Sequence, residues 1–177
     1  MRKLRIALMS AVAAGALATA AVSASPPSIE QVSITGAKVG LTAGAYEKLF
    51  GAPYTTRRAG GDHEITLLRF PSRKVTVMFV RSSKAMSVIT WNRAYRTDHG
   101  VGPCSTLAQL QKAYGAALAQ DKYGAYDVGN LLFSTSTTTS KVVAVGLYNS
   151  RAPHAKQDFG AQPYTSFAMD NLVPPCS

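Results

Sequence analysis

Cysteine, tryptophan and acidic residues are scarce in this chain of 177 residues: two Cys, one Trp and nine Asp plus Glu. Two cysteines exclude a disulfide-scaffold miniprotein and a four-cysteine zinc site. The few carboxylates are scattered and nominate no pair for glycoside hydrolysis. After the first two dozen residues no apolar run approaches the roughly 18 residues needed to cross a bilayer. No Gly-x-Ser-x-Gly elbow occurs. Gly100-Val101-Gly102 is not a phosphate loop, because the third glycine is missing and Pro103 interrupts it. The three histidines, His63, His99 and His154, lack the close i,i+4 spacing of a helical zinc motif, and Asp62-His63-Glu64 and Asp98-His99 read as polar turns. The sequence therefore offers no cofactor or metal site.

What is present begins with a secretory pattern. Arg2, Lys3 and Arg5 precede an alanine-rich apolar stretch from Ile6 to about Val22, and Val22-Ser23-Ala24 supplies small residues for cleavage after Ala24. An uncleaved anchor helix is the other reading, weakened by Ser10, Gly15 and Thr19 inside the stretch. Residues 1–24 are thus expected to be a signal peptide and the protein to be secreted or extracytoplasmic. Hydrophobic content of 46% against 16% charged residues predicts a packed core. Outside the membrane thiols oxidise, so Cys104 and Cys176 are expected to form a disulfide stapling the C-terminal tail.

The chain repeats itself at an offset of 64. Thr42, Lys48, Phe50 and Gly51 fall on Thr106, Lys112, Tyr114 and Gly115, and Gly36 falls on Gly100. Leu67-Leu68 falls on Leu131-Leu132 at the same offset. About seven residues are then lost, and Lys84–Asn92 resembles Lys141–Asn149, with Val88 on Val145 and Trp91 on Tyr148. Each unit starts with a Thr able to cap a short helix. Tyr46, Leu49 and Phe50, and then Leu110, Ala113 and Tyr114, give each helix one apolar stripe, and a glycine stops it.

β-rich runs follow at Glu64–Phe70, Val75–Val80 and Met86–Trp91, a three-stranded meander. The second unit offers Asn130–Ser134 and Val142–Tyr148, joined by Ser134–Ser140, a loop or a short edge strand. The fold class expected is α+β: two tandem helix-plus-antiparallel-sheet units in one compact domain. The first unit spans 25–97 and the second 98–150, with an irregular tail over 151–177 that has Phe159, Tyr164, Phe167 and Leu172 available for packing.

A glycine-rich lead, a Thr-started helix ending in a (Phe/Tyr)-Gly step and an antiparallel meander is similar to the outer-membrane assembly lipoprotein BamE. Two such units in one secreted chain resemble the β-lactamase inhibitory proteins of actinomycetes. The resemblance covers roughly residues 33–150 and implies a binding role on this fold. It carries over no enzyme-contacting residue, and the inhibitory proteins have a disulfide in each repeat, whereas this chain has two cysteines in all.

Charge is uneven. Arg57, Arg58, Arg69, Arg73, Lys74, Arg81, Lys84, Arg93 and Arg96 lie between residues 57 and 96, against only Asp62 and Glu64, and hold the whole positive excess of the mature chain. Arg57, Arg58, Arg73, Lys74, Arg81 and Lys84 are candidate contacts for an acidic protein or an anionic envelope polymer; the plainer reading is a solubilising surface. Trp91 and Tyr148 are aromatics of either a binding sheet face or the core. No nucleic-acid motif is present. The function expected is a non-enzymatic binding module acting through a sheet face and the basic unit. The alternative is a cell-wall hydrolase: Gly102-Pro103-Cys104-Ser105 at a helix start resembles the nucleophile segment of NlpC-type peptidases, although Thr106 stands where they have Gly and no His lies on a clear downstream strand.

Overall fold

The computed structural model describes residues 28–60, 63–120, 125–136, 138–149 and 176; the signal-peptide reading and nearly all of the C-terminal tail lie outside them. In chain order the elements are β1 (Ser28–Ile29), α1 (Ala43–Phe50), β2 (Tyr54–Gly60), β3 (His63–Phe70), β4 (Val75–Val80), β5 (Ser87–Thr90) and β6 (Arg96–Thr97). Then come α2 (Leu107–Tyr114), β7 (Ala119–Gln120), β8 (Tyr126–Val128), β9 (Leu131–Thr135) and β10 (Val142–Tyr148). Eight strands form one antiparallel sheet in the order β2-β3-β4-β5-β10-β9-β8-β7, and β1 pairs with β6 in a separate parallel ribbon. The class is α+β.

Both helices form where the apolar stripe and the terminal glycine place them. Gly51 and Gly115 take φ of 90° and 52° and donate their N–H groups back to Glu47 and Gln111, a conformation that ends a helix at little cost only with glycine. Thr106 Oγ accepts from the Gln109 amide while Gln109 returns a bond to the Thr106 amide, a reciprocal cap. Thr42 occupies the same place before α1 but makes no side-chain bond. The stripe of α1 is narrower than expected: Tyr46 is fully buried and Phe50 half-buried, whereas Leu49 is 43% exposed.

Each half carries a four-stranded meander rather than three or two. β2 escapes a hydrophobicity reading because Tyr54-Thr-Thr-Arg-Arg-Ala-Gly has no apolar alternation; it is held by its pairing with β3, from Tyr54↔Arg69 to Gly60↔His63. β7 and β8 have two and three residues and exist by the same ladder bonds. Ser134–Ser140 contains the end of β9 and then a turn. The extra strands correct the proposed alignment. Leu67-Leu68 sits in the second strand of its meander and Leu131-Leu132 in the third, and Leu67 and Leu131 face opposite sides. An offset of 64 therefore does not match the two meanders strand for strand.

Successive side chains along a strand alternate faces, and both faces here are apolar. On the first lie α1, α2 and residues 29–41. Tyr46 packs edge-on against Phe79 at 6.2 Å, Phe50 against Phe70 at 5.2 Å, and Tyr114 against Phe133 at 5.6 Å. The second face holds Ile65, Leu67, Met78, Val80, Ile89, Trp91, Leu132, Ala144 and Tyr148.

Candidate functional site

Antiparallel hairpins send successive turns to opposite ends of a sheet. Arg73 and Lys74 lie in the turn between β3 and β4, whereas Arg81 and Lys84 lie in the turn between β4 and β5. The six residues of β4 separate them by roughly 20 Å at about 3.3 Å per residue. The basic stretch is thus two groups rather than one patch. Arg57 and Arg58 belong with the second group, because they pair with Thr66 and Ile65, and Ile65 in turn pairs with Val80.

The Arg73–Lys74 end is built by hydrogen bonds. The Lys74 carbonyl accepts from Trp91 N–H at 3.1 Å and Thr90 Oγ1 at 3.0 Å, and the Arg73 carbonyl accepts from Asn92 Nδ2 at 3.3 Å. These bonds hold the turn against residues 92–96, where the Arg96 guanidinium donates to the Arg93 and Tyr95 carbonyls. Lys74 and Arg81 take φ of 54° and 46°, left-handed conformations that point the chain sharply around each turn. Residues 71–74 and 81–84 are all exposed. Among the described residues none of Arg73, Lys74, Arg81 and Lys84 joins an ion pair. Arg69, by contrast, is buried at 7% exposure on the second sheet face.

Trp91 and Tyr148 occupy matching places on that second face, but each is 6% exposed. Of the two expectations for this pair, the core is where the structure puts them. Tyr148 also donates its hydroxyl to the Gly129 carbonyl at 3.2 Å. The hydroxyls of Thr76 and Ser87, 0% and 1% exposed, share this face and have no hydrogen-bond partner among the described residues. Nothing in the β-strand pattern set them apart as buried.

Cys104 is bonded to Cys176, with Cα atoms 5.3 Å apart and a sequence separation of 72. A sulfur held in a disulfide is not available as a nucleophile while the bond stands. The Cys104 amide donates to the Val142 carbonyl at 2.7 Å, so the staple sits against the start of β10. Just upstream, a Cβ on Gly102 would collide with the Tyr95 backbone carbonyl, which explains that glycine without a ligand. His99 packs on Tyr114 at 4.8 Å and lies 3.8 Å from Asp98. Among the described residues no three His, Cys, Asp or Glu side chains come together. Burial raises the Tyr46 and Tyr114 phenols above their ordinary range. At the uncapped start of α1, Thr42, Thr66, Leu68, Phe79 and Ser82 line an open hollow of about 340 Å³.

No family model matches the chain, and neither a curated protein nor a solved structure is similar enough to count as a relative. Among the described residues no helix is long and apolar enough to cross a membrane.

Proposed function

We propose that this chain is a secreted, non-enzymatic binding module that recognises an acidic protein or an anionic envelope polymer. The observation that carries the reading is the pair of exposed basic turns, Pro71–Lys74 and Arg81–Lys84, without ion pairs among the described residues and held at opposite ends of one strand. Charges on fixed turns attract an oppositely charged partner over roughly a Debye length. Two such groups about 20 Å apart suit an extended anionic surface better than a small ligand. The second sheet face, where Trp91 and Tyr148 are each 6% exposed, adds no contact area while it is covered, so the basic turns carry the proposal.

The same proposal takes the chain as two tandem units of BamE-like and β-lactamase inhibitory protein-like form. Its support is that each half is one helix followed by four strands. At the centre Val88 pairs with Leu147 and Thr90 with Val145, the exchange a two-fold axis between β5 and β10 would produce if Val88 matches Val145. Location outside the cytoplasm rests on the N-terminal pattern and agrees with a disulfide, which oxidising compartments favour.

The test is capture from native envelope fractions by tagged protein at low and high salt, beside a variant carrying Arg73→Glu, Lys74→Glu, Arg81→Glu and Lys84→Glu. Acidic components held by the wild type at low salt should be lost from the variant. Identical capture by both proteins would reduce the basic turns to solubilising surface.

A further inference from the structure

At one end of the sheet an apolar hollow of about 340 Å³ opens beside a basic turn. Its floor is Leu68 of β3 and Phe79 of β4; Thr42 and Gly44 stand on one side and Ser82 and Ser83 on the other. Thr42, Gly44, Ser82 and Ser83 are all exposed, so the mouth of the hollow meets solvent. Arg81 and Lys84, also exposed, flank the two serines. We infer that this hollow takes one apolar side chain from an extended acidic segment of a partner protein, with Arg81 and Lys84 pairing with the carboxylates on either side of it. The inference rests on the binding role proposed above and narrows the partner to a protein rather than a polymer.

The hollow is formed before any partner arrives. The Gly40 amide donates to the Ala85 carbonyl at 2.9 Å, the Ala85 amide donates to the Leu41 carbonyl at 2.9 Å, and Thr42 is bridged to Lys84. These links tie the two walls together. The floor is held as well: Phe79 meets the ring of Tyr46 edge-on at 6.2 Å, and the Tyr46 hydroxyl donates to the Lys38 carbonyl. A site that needs no ordering loses less on binding. In the second half the Gln109 side chain turns back to accept from the Thr106 amide. Ala45 stands three residues past Thr42 in the matching place and has no such reach, which leaves the start of α1 open.

Size and charge select the occupant. Ligand pockets run from roughly 300 to 1,000 Å³. This one is at the small end, and its two floor side chains are already 4% and 5% exposed, so it has room for one side chain and not for a long acyl chain. Single anchors of this kind carry much of the energy of protein interfaces. Neither Arg81 nor Lys84 has an ion-pair partner among the described residues. Arg57 pairs in register with Thr66 beside the hollow and adds a third cation; the carboxylates nearest in the chain are Glu47, a turn along α1, and Glu64, two residues before Thr66. A second copy fits poorly. Of the exposed large apolar residues, Leu49 follows Lys48 and Tyr54 opens the strand that carries Arg57 and Arg58. Val32 lies near Glu30, whose carboxylate already accepts from Ser28 and Ser33.

The experiment is a fluorescence-anisotropy titration of the full chain at low salt with labelled probes. They are an acidic peptide with one Phe between Asp and Glu residues, the same peptide with Ser for Phe, and poly-glutamate. The Phe peptide should bind at least about tenfold tighter than the Ser peptide, and should alone shift the Leu68 methyl resonances. Gly44→Leu narrows the hollow without a clash, because a Cβ there meets nothing within 4 Å. It should bring the Phe peptide to the level of the Ser peptide and leave poly-glutamate binding unchanged. Arg81→Glu with Lys84→Glu should weaken all three. Equal affinity for the Phe and Ser peptides, in a protein that still binds poly-glutamate, overturns the hollow as anchor site and leaves the proposed function standing. No binding of any probe counts against both. Leu68 shifts that appear on concentrating the protein alone and vanish in Gly44→Leu would give the hollow to a second copy. Dodecanoate binding tighter than the Phe peptide would give it to an amphiphile, and either result overturns the inference.

Discussion

Thr106, the cap of α2, is bridged to Lys141 immediately before β10, and Thr42 is bridged to Lys84 three residues before β5. Each bridge ties the start of a helix to the start of the inner strand of its half. The segment closed in the second half is about seven residues shorter. The bridge persists across that difference because it is made by backbone at two fixed points, while the strands between them shorten.

The two caps should differ in energy. Thr106→Ala removes the bond to the Gln109 amide and should cost about 1 kcal/mol, the usual loss at an N-cap. Thr42→Ala removes no such bond and should cost clearly less. Urea denaturation of the two variants measures the difference directly. Equal losses would mean that the reciprocal cap on α2 adds nothing beyond the residue type.

Removing the staple should be expensive. On the chain-entropy model a loop of this length stabilises by about 4 kcal/mol. Cys176→Ser should lower the melting temperature markedly, and denatured wild type without reductant should show no titratable thiol. A thermal melt and a thiol titration check both statements.

Alkali should destabilise the fold through Tyr46. Its phenol is fully buried and donates to the Lys38 carbonyl, and burial raises its pKa above the ordinary value of 10.0. The folded state therefore holds the proton while the unfolded state releases it. The contribution is complete below pH 10 and is lost as pH rises toward the folded pKa, by about 1.4 kcal/mol per unit. Tyr46→Phe should flatten this alkaline loss, leaving the smaller part due to Tyr114, and should cost about 1 kcal/mol near neutrality for the missing hydrogen bond. Unfolding free energy measured from pH 7 to pH 12 shows both effects.

Charge reversal at one end of β4 should act separately from reversal at the other. Arg73→Glu with Lys74→Glu, and Arg81→Glu with Lys84→Glu, should each slow association with an anionic partner more than they speed release. Fold stability should stay within about 0.5 kcal/mol, since these side chains are exposed. Association rates of both double variants, taken between 0.1 and 1 M salt, test this; an effect from one pair alone would assign the contact to that end.

Much of the architecture was legible in the residues because it depends on local chemistry. Tyr46 on the apolar stripe of α1 and Leu110 on that of α2, each followed by a glycine, Gly51 or Gly115, mark both helices. Val75–Val80, apart from Thr76, and Val142–Tyr148 are apolar because they lie deep in the sheet with both faces buried. With two cysteines in the chain, the disulfide had one possible pairing.

The remainder depends on partners that no local pattern encodes. β2, β7 and β8 sit toward the sheet edges, where ladder bonds to a neighbour make the strand and side-chain hydrophobicity does not. Alternation along a strand puts Trp91 and Tyr148 on one face, yet only what lies over that face determines whether they meet water. The basic residues cluster in sequence between 57 and 96, but each reversal of the chain carries the next turn to the far end of the sheet. Adjacency in sequence becomes separation in space, and the tertiary fold alone turned one charged stretch into two.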